Sequence, residues 1–497
     1  MTAIRLAASI ILIRGGNQNT EVYLVKRSSR LAFMGGLWAF PGGTVSESDY
    51  IPGADACPLV ISNCARRELF EETGVLLAAP SCKPLPTRLQ SIRQDLLSGT
   101  GDSDWTRLQT GLDHPGDYLT PVCEMITPAM SPVRYQTSFL LARLPNECVP
   151  AVINGELTEG AFFRPAEAIR LWEEGHVQIA PPNLLLLRIM AKHGLAGFPV
   201  AARNETLKLA DGALHPVYFS PGIFLAALRT QTLPPATTTN TLIVGNRDLY
   251  IIDPATDERD EQSRLFRKMD ELIAAGAVFK GILLTHHHSD HTGAVKISSL
   301  KYNLQVRAHP QCYARLQPGY ITGTPLQDGE LISLGQAPDG TEGWGLRVLY
   351  TPGHAIDHVA FLDNKYNAAI VGDMLSTVST ILIDPPEGHM ATYLQSLETL
   401  LNQPLRTLFP AHGPPHPDGS TLIRQFLDHR RQREELIVKV MHDSVSPTTL
   451  GELLPSVYAD VDPAMHRVAE RSLLAGLIKL EEEGRCSRND AGGWYLV

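Results

Sequence analysis

Apolar positions first gather in two short runs, IRLAASIILIR and EVYLVKR, separated by the turn residues Gly15, Gly16 and Asn17. Runs of this length, punctuated by glycine, predict two strands. The period then changes. The stretch around Asn63 to Glu72 fits a helix, and RPAEAIRLWEEG predicts another, with Pro165 suited to a first helical turn. Residues 81–120 are polar and irregular and predict a loop-rich insertion, and 195–215 predict a soft linker. Beyond it, TLIVGNRDLYIID reads as two strands about a turn at Gly245–Asn246, RDEQSRLFRKMDELIAAG as a helix and GILLT as a further strand. Strands and helices alternate to about residue 420, the pattern of a layered α/β or α+β domain. After that, Phe426, Leu427, Leu436, Ile437, Val440 and Met441 recur at helical spacing. Two more helical stretches and the hairpin-like RCSRNDAGGWYLV complete the order of a winged helix.

Three domains are therefore expected, at 1–200, 215–420 and 421–497. The length agrees, at about 150 residues per domain. Composition is that of a soluble globular protein, with 43% hydrophobic and 19% charged residues. A net charge of -10 removes any general pull toward nucleic acid or anionic membrane. The apolar run Ile10–Ile13 is too short to span a bilayer and has no small-residue cleavage site, so it is not expected to be a signal peptide. Seven cysteines are scattered without a CxxC, which fits a reducing compartment. A cytoplasmic protein without a membrane partner is the expectation.

The densest chemistry is ILLTHHHSDH, Ile282 to His291. On a strand end, His286 and His288 share a face and His287 points away. Asp290 and His291 follow at a turn into helical sequence. Further ligand types stand in TPGHAIDH (His354), IVGD (Asp373) and FPAHGPP (His412), each at a strand-to-loop junction. Imidazole and carboxylate suit zinc, and iron or manganese also fit such a set. A divalent ion of this kind can bring the pKa of a water toward neutrality. A bare HxHxDH is compatible with unrelated surface histidines, but His354, Asp373 and His412 in order are not. HxHxDH followed by GHA, GD and AHG resembles the metallo-β-lactamase superfamily. The resemblance implies an αββα sandwich with two metal ions. It assigns His286, His288 and His354 to one ion, and Asp290, His291 and His412 to the other, with Asp373 bridging. Asp290 is also a catalytic candidate. Asp253 in IIDPAT matches the family's early strand-end aspartate, with Ala255 where a glycine is usual. His358 lies near enough to His354 to support it or to touch substrate.

A second cluster lies upstream. In RRELFEETGV, Glu68, Glu71 and Glu72 fall at i, i+3 and i+4, on one helix face. Three carboxylates so placed repel one another unless a hard cation such as Mg²⁺ or Mn²⁺ sits among them, with substrate phosphates completing its shell. Arg67 can pair with Glu71, and Gly74 can end the helix. A solvated acidic face is the alternative. The preceding FPGGTVSESDY adds a tight turn, and together they resemble the Nudix box of diphosphate hydrolases, with Arg67, Glu71 and Glu72 as catalytic candidates. The first half departs. The acidic position after Gly43 is Asp49, and about ten extra residues precede Arg67. KRSSRLAFMGGLWAFPGG is similar to the region before the box in coenzyme A diphosphatases, which points to Arg27, Ser28 and Arg30 as substrate contacts. The arginine usual between them is absent at Ala32, so that Arg30 or Arg14 would substitute. Glu156 and Glu159 are candidates for an extra ligand or base.

The run AHGPPHPDGSTLIRQFLDHRRQREELI, which leads into the tail, resembles the C-terminal part of the β-lactamase-like protein 2 group, whose characterised members cut single-stranded RNA. From Thr421 to Val497 there are 10 Lys+Arg against 12 Asp+Glu, so a lid or packing role is favoured over nucleic-acid reading. The whole chain is read as a bifunctional metal-dependent hydrolase acting on small diphosphate and thioester, ester or phosphodiester substrates. The fold class expected is a Nudix α/β/α sandwich, an αββα metallo-β-lactamase sandwich and a winged helix. An endoribonuclease, or an N-terminal module that only senses a nucleotide, are the alternatives.

Overall fold

The computed structural model describes all residues except 1–2, 17–18, 32, 51–56, 80–85, 147 and 445–446, and the side chain of residue 210. The chain divides into two compact units, Met1–Pro221 and Gly222–Val497.

In the first unit the strand Ile4–Arg14 is apolar almost throughout because both of its faces are covered. It pairs in parallel with Arg134–Arg143 and antiparallel with Glu21–Arg27. Gly42–Thr44 also pairs with it, and Leu157–Phe163 pairs with Glu21–Arg27. Strand alternation sorts the side chains into two cores. Ile10, Leu12, Tyr23 and Val25 pack against Ile61, Ala65 and Leu69 of the helix Cys57–Thr73. Ile11, Ile13, Val22 and Leu24 pack against Trp172 and Leu187, from the helical segments Pro165–Glu173 and Pro181–Ala210. The result is an α/β/α sandwich.

Two expectations are corrected here. The described part of the segment 81–120, from residue 86 on, is not loop-rich: Pro86–Leu97 and Asp102–Gln109 are helices, and Ile92, Leu96, Trp105 and Leu108 join a core with Phe70. Trp105 stacks on Phe70 with ring centroids 5.6 Å apart. The expected linker at 195–215 is helical to Ala210, broken at Gly194 (φ 64°, ψ 174°). Pro181–Leu209 is long and apolar enough to cross a membrane by length and composition, which the sequence scan passed over. Its Leu184, Leu187, Met190, Phe198 and Ala202 lie in the sandwich core. The six described cysteines are all free, and Cys82 lies outside the described residues.

In the second unit, one sheet runs in the order Ile321–Thr322, Gln305–Arg307, Val278–Leu283, Asp248–Ile252, Thr238–Gly245, Ile223–Arg229. The other runs Leu331–Gly335, Trp344–Tyr350, Val359–Asp363, Ala369–Ser376, Leu408–His412. The helices Arg259–Ala274 and Val295–Tyr302 pack on the first sheet. Met390–Leu401 packs on the second through Tyr393, Leu397 and Leu400. This is the αββα order. The chain continues through the helices Gly419–His442, Leu450–Val457 and His466–Glu482 to a hairpin of Cys486–Arg488 with Trp494–Leu496. Its core of Ile437, Met441, Leu453, Val457, Leu473, Leu477 and Trp494 is a winged helix core.

Candidate active sites

In the first unit the two glycines of the turn Pro41-Gly42-Gly43 lie close to their neighbours, Gly42 against the backbone of the strand Ile4–Arg14 and Gly43 against the Glu68 carboxylate of the helix Cys57–Thr73. A Cβ on Gly43 would lie 2.5 Å from Glu68 Oε1, and one on Gly42 (φ 152°) 2.3 Å from the Ala8 carbonyl. The freed backbone is used: Gly42 N donates to Glu72 Oε2 at 2.9 Å. Burial, with the Glu68 charge beside it, pushes Glu72 well above the usual carboxylate range, against the Gly42 N–H and the Arg27 charge. Burial also lifts Glu68 to about 7; Arg67 pulls it down, and Glu71 and Asp49 push it up. Glu71 is raised as well, again chiefly by burial. Three carboxylates held this way favour any cation that shares them.

Arg67 is a positioning residue rather than a group open to substrate. Its side chain is 7% exposed and grips Asp49 with two prongs, Nε–Oδ1 and Nη2–Oδ2, both 2.9 Å. Nη2 also donates to the Thr44 carbonyl at 2.8 Å, and Nη1 reaches Glu68 (2.9 Å) and Glu71 (3.3 Å). Asp49 is fully buried and also accepts from Ser46 N. The pair therefore closes over the extra residues and keeps turn and helix in register. Sequence reasoning missed Arg93, from the helix Pro86–Leu97. It donates to the carbonyls of Glu71 (2.9 Å), Glu72 (2.8 Å) and Ala151 (2.6 Å), capping the end of the glutamate helix.

Of the substrate candidates, Arg27 lies beside Glu72, and its buried Nε has no hydrogen-bond partner among the described residues. Ser28 is buried and accepts from Arg30 N within its own turn (3.4 Å), whereas Arg30 is exposed. Ala32 lies outside the described residues. Arg14 is engaged by Glu21 at 2.6 Å and by the Phe162 ring. Glu159 pairs with Lys26 on the surface, and Glu156 is exposed near Glu71.

In the second unit the strand Val278–Leu283 ends before the histidines, but the alternation persists. His287 turns away to Asp357 (Nδ1–Oδ1 2.9 Å), while His286 and His288 face inward. Three groups of possible ligand atoms form. One is His287, His288 and Glu387; the other two, which the sequence predicts, are His286, His288, His354 and Asp373, and Asp290, His291 and His412. Asp373 lies between these two. Its Oδ2 is 3.5 Å from His354 Nε2, and its Oδ1 is 3.5 Å from His291 Nε2 and 3.3 Å from His412 Nε2.

The surroundings fix which ring nitrogen faces the centre. His286 Nδ1 meets Thr285 Oγ1 at 3.0 Å, and His291 Nδ1 meets Asp253 Oδ2 at 2.9 Å. His354 Nδ1 bonds the Leu382 carbonyl (2.9 Å) and His412 Nδ1 the Thr238 carbonyl (3.0 Å). Asp253, itself at φ 48°, also accepts from Thr285 N and Oγ1. In consequence His286 Nε2, His291 Nε2 and Asp373 Oδ1 are buried with no hydrogen-bond partner among the described residues. Orphaned, convergent nitrogens and oxygens of this kind fit a pair of divalent ions.

Electrostatics divides the cluster. Burial, then the neighbouring imidazoles, lowers His286 well below the usual histidine range and His288 to about 3, so both stay neutral. Burial opposes protonation of His291 too, but Asp290 and Asp373 overcome it and raise it, and Asp373 likewise raises His412. A cation bound there competes with protons for these nitrogens. His358 is corrected from a substrate candidate to a support. It is fully buried, with Nδ1 on Thr351 (2.9 Å) and Nε2 accepting from Asp373 N (3.2 Å). Gly372 lets that ring in, since a Cβ there would lie 2.6 Å from His358 Nε2. Glu387 was not anticipated, because nothing in its own sequence neighbourhood marks it, and Asp357 was passed over although it lies inside TPGHAIDH.

The fold and the two clusters define a hydrolase of several domains. Residues 3–96 match the NUDIX domain model, 233–412 the metallo-beta-lactamase superfamily and 449–494 the beta-lactamase associated winged helix domain. The chain is accordingly a hydrolase carrying these three domains, the first two from metal-dependent families. It is 25% identical over 273 residues to a lactamase-like protein of Aspergillus sp. (strain MF297-2), covering 50% of this chain and 79% of that one. It is 27% identical over 269 residues to an atrochrysone carboxyl ACP thioesterase of Pseudocercospora fijiensis, covering 52% and 75%. It is 28% identical over 253 residues to a beta-lactamase-like protein 2 homolog of Drosophila melanogaster, covering 50% and 83%.

Proposed function

We propose that the central domain hydrolyses an acyl thioester or ester, and that the N-terminal domain cleaves the diphosphate linkage of a nucleoside diphosphate derivative. Coenzyme A thioesters are the substrate class that contains both bonds. The observation that carries the central reading is Asp373 facing both ligand groups, with the ring nitrogens of His286, His291, His354 and His412 committed by their neighbours. Divalent ions bound there supply Lewis-acid charge and bring a water's pKa toward neutrality. Asp290, the partly exposed acid of the second group, turns Oδ2 toward His412 at 3.5 Å and can hold a proton from an attacking water. The thioesterase named among the relatives supports the thioester choice. In the N-terminal domain Mg²⁺ or Mn²⁺ supplies neutralising charge for phosphates. Gly42 N and Arg67 hold Glu72, Glu68 and Glu71 in place, and Arg27 offers a positive charge beside Glu72.

The test is a substrate panel of acyl-CoA, ADP-ribose, an acyl-glutathione thioester and single-stranded RNA. It is run on the full chain and on Glu72→Gln and Asp290→Ala. Diphosphate cleavage of acyl-CoA should disappear with Glu72→Gln only, and thioester cleavage with Asp290→Ala only. Cleavage of RNA alone, lost with Asp290→Ala, would replace this reading with an endoribonuclease. Nucleotide binding without turnover at saturating Mg²⁺ would make the first domain a sensor.

A further inference from the structure

The loop Ile381–His389 runs past the central site and is held from the other side by the C-terminal helices. Arg430, on Gly419–His442 and 6% exposed, donates to the Ile381 carbonyl. From His466–Glu482, Ser472 Oγ accepts from Ile383 N at 3.5 Å, and Arg471 donates to Asp384 Oδ1 at 2.5 Å and to the Pro385 carbonyl. Glu482 Oε1 meets His389 Nε2 at 2.9 Å. Ile381 and Ile383 are buried in one core with Phe426 and Ala475. Five of the loop's nine residues, Ile381, Ile383, Asp384, Pro385 and His389, are thus held by the two helices.

The same loop touches the candidate ion site at three places. The Leu382 carbonyl holds His354 Nδ1 at 2.9 Å. His389 N donates to the carbonyl of Gly353, next to His354, at 2.8 Å. Glu387 lies with Oε1 3.4 Å from His287 Nε2 and Oε2 3.8 Å from His288 Nε2. Those distances suit a charge contact or a bridging water. His287 is fixed from behind by Asp357, which is fully buried. His288 presents Nδ1 toward His354 Nε2 at 3.1 Å, so the nitrogen facing Glu387 is the one that does not face the ligand group.

We infer that the C-terminal helices act as a clamp on Ile381–His389, and that Glu387, carried by that loop, is a positioning residue for His288. The winged helix domain thereby tunes hydrolysis from behind the ligands rather than by reading nucleic acid. Its own charges point the same way: Arg433 is spent on Asp460, Arg471 on Asp384, and Lys479 and Arg485 on Glu434 and Glu483. Carboxylates behind a ligating histidine orient the ring and raise its basicity, and their removal costs about 10- to 100-fold in ion affinity.

The inference rests on the ion-binding reading of the cluster, so the test separates the two. Two full-length variants, Arg471→Met/Glu482→Gln and Glu387→Gln, and their combination are compared with the parent. Hydrogen exchange is followed over residues 381–389, and Zn²⁺ affinity by competition with a chelator. The clamp variant should speed exchange in the loop and weaken Zn²⁺ about 10-fold, the low end of the range for such partners. Glu387→Gln should weaken Zn²⁺ similarly or more with loop exchange unchanged. The combined variant should lose less than the product of the two, because part of what the clamp does to the ion passes through Glu387. Unchanged loop exchange in the clamp variant, unchanged Zn²⁺ affinity despite faster exchange, or fully multiplicative losses would each overturn the inference. If the parent chain binds no Zn²⁺, the ion reading fails and the role of Glu387 falls with it, while the exchange result still decides the clamp.

Discussion

The two candidate sites solve one problem, gathering charge around a cation, in opposite ways. In the first unit, Glu68, Glu71 and Glu72 come from one helix within five residues, and neighbours restrain them: the Gly42-Gly43 turn, Arg67 and the Arg93 cap. In the second unit the candidate ligands come from His286 to His412, from several strand ends, and carbonyls and side chains of other strands and loops orient them. The first site depends on local sequence and on one buried ion pair. The second depends on the whole sandwich closing. The unfavourable charge also differs in sign. The first crowds acids, and burial lifts all three. The second mixes imidazoles and acids, so that His286 and His288 stay neutral while Asp290 and Asp373 draw protons onto His291.

The sharpest way to break this contrast is at Asp373 and Glu72. Asp373→Asn should cut hydrolysis by the central domain about 10³-fold, at the upper end for one electrostatic contributor, and leave diphosphate cleavage intact. Glu72→Gln should do the reverse, and steady-state rates on both substrates report it. A loss of both activities in either variant would mean that the sites are not independent.

Next in size is Asp49→Ala. It would take from the buried Arg67 its two-pronged partner and leave Glu68, Glu71 and the Thr44 carbonyl, so the cost should fall below the roughly 3–5 kcal/mol of a fully stranded charge, visible as early unfolding of the first unit in a denaturant titration. Little change would show that the helix, not the ion pair, holds the turn. Asp253→Asn should lower ion affinity of the central site about 10- to 100-fold through His291 and Thr285, read by chelator competition.

The smallest effect is one of pH. Glu68 is lifted to about 7, above its unfolded value near 4.3, so the folded state prefers the proton. Its contribution is present below about 4.3 and is lost as pH rises through about 7. In chelator, the melting temperature of the first unit should fall from pH of about 5 to about 8, and Mg²⁺ should flatten the decline. A profile indifferent to Mg²⁺ would remove the cation from that carboxylate group.

Legibility followed the same divide. The histidine ligands were readable because each sits at a strand-to-loop junction with its own short signature, TPGH, IVGD or PAHG. The glutamates were readable from helical spacing together with the FPGG turn upstream, since spacing alone fits a solvated acidic face as well. What was not readable acts at a distance. Nothing near Arg93 says that it caps a helix some twenty residues away, and PTRLQSIRQDLL passed for loop because Pro, Gly and Ser surround it. The segment 195–215 looked like a linker because Gly194 and Pro199 interrupt its period, yet its apolar side completes a core. Glu387 gains meaning only once the fold brings it to His287 and His288.

The Asp49–Arg67 pair has a consequence for how such chains can change. A clasp fastens two points whatever length of string hangs between them. Loop closure grows so slowly with length that each doubling of the span costs only about 0.6 kcal/mol. With the clasp buried, Asp49 is held to the helix Cys57–Thr73 by the ion pair itself, whatever the number of residues that separate the two in sequence.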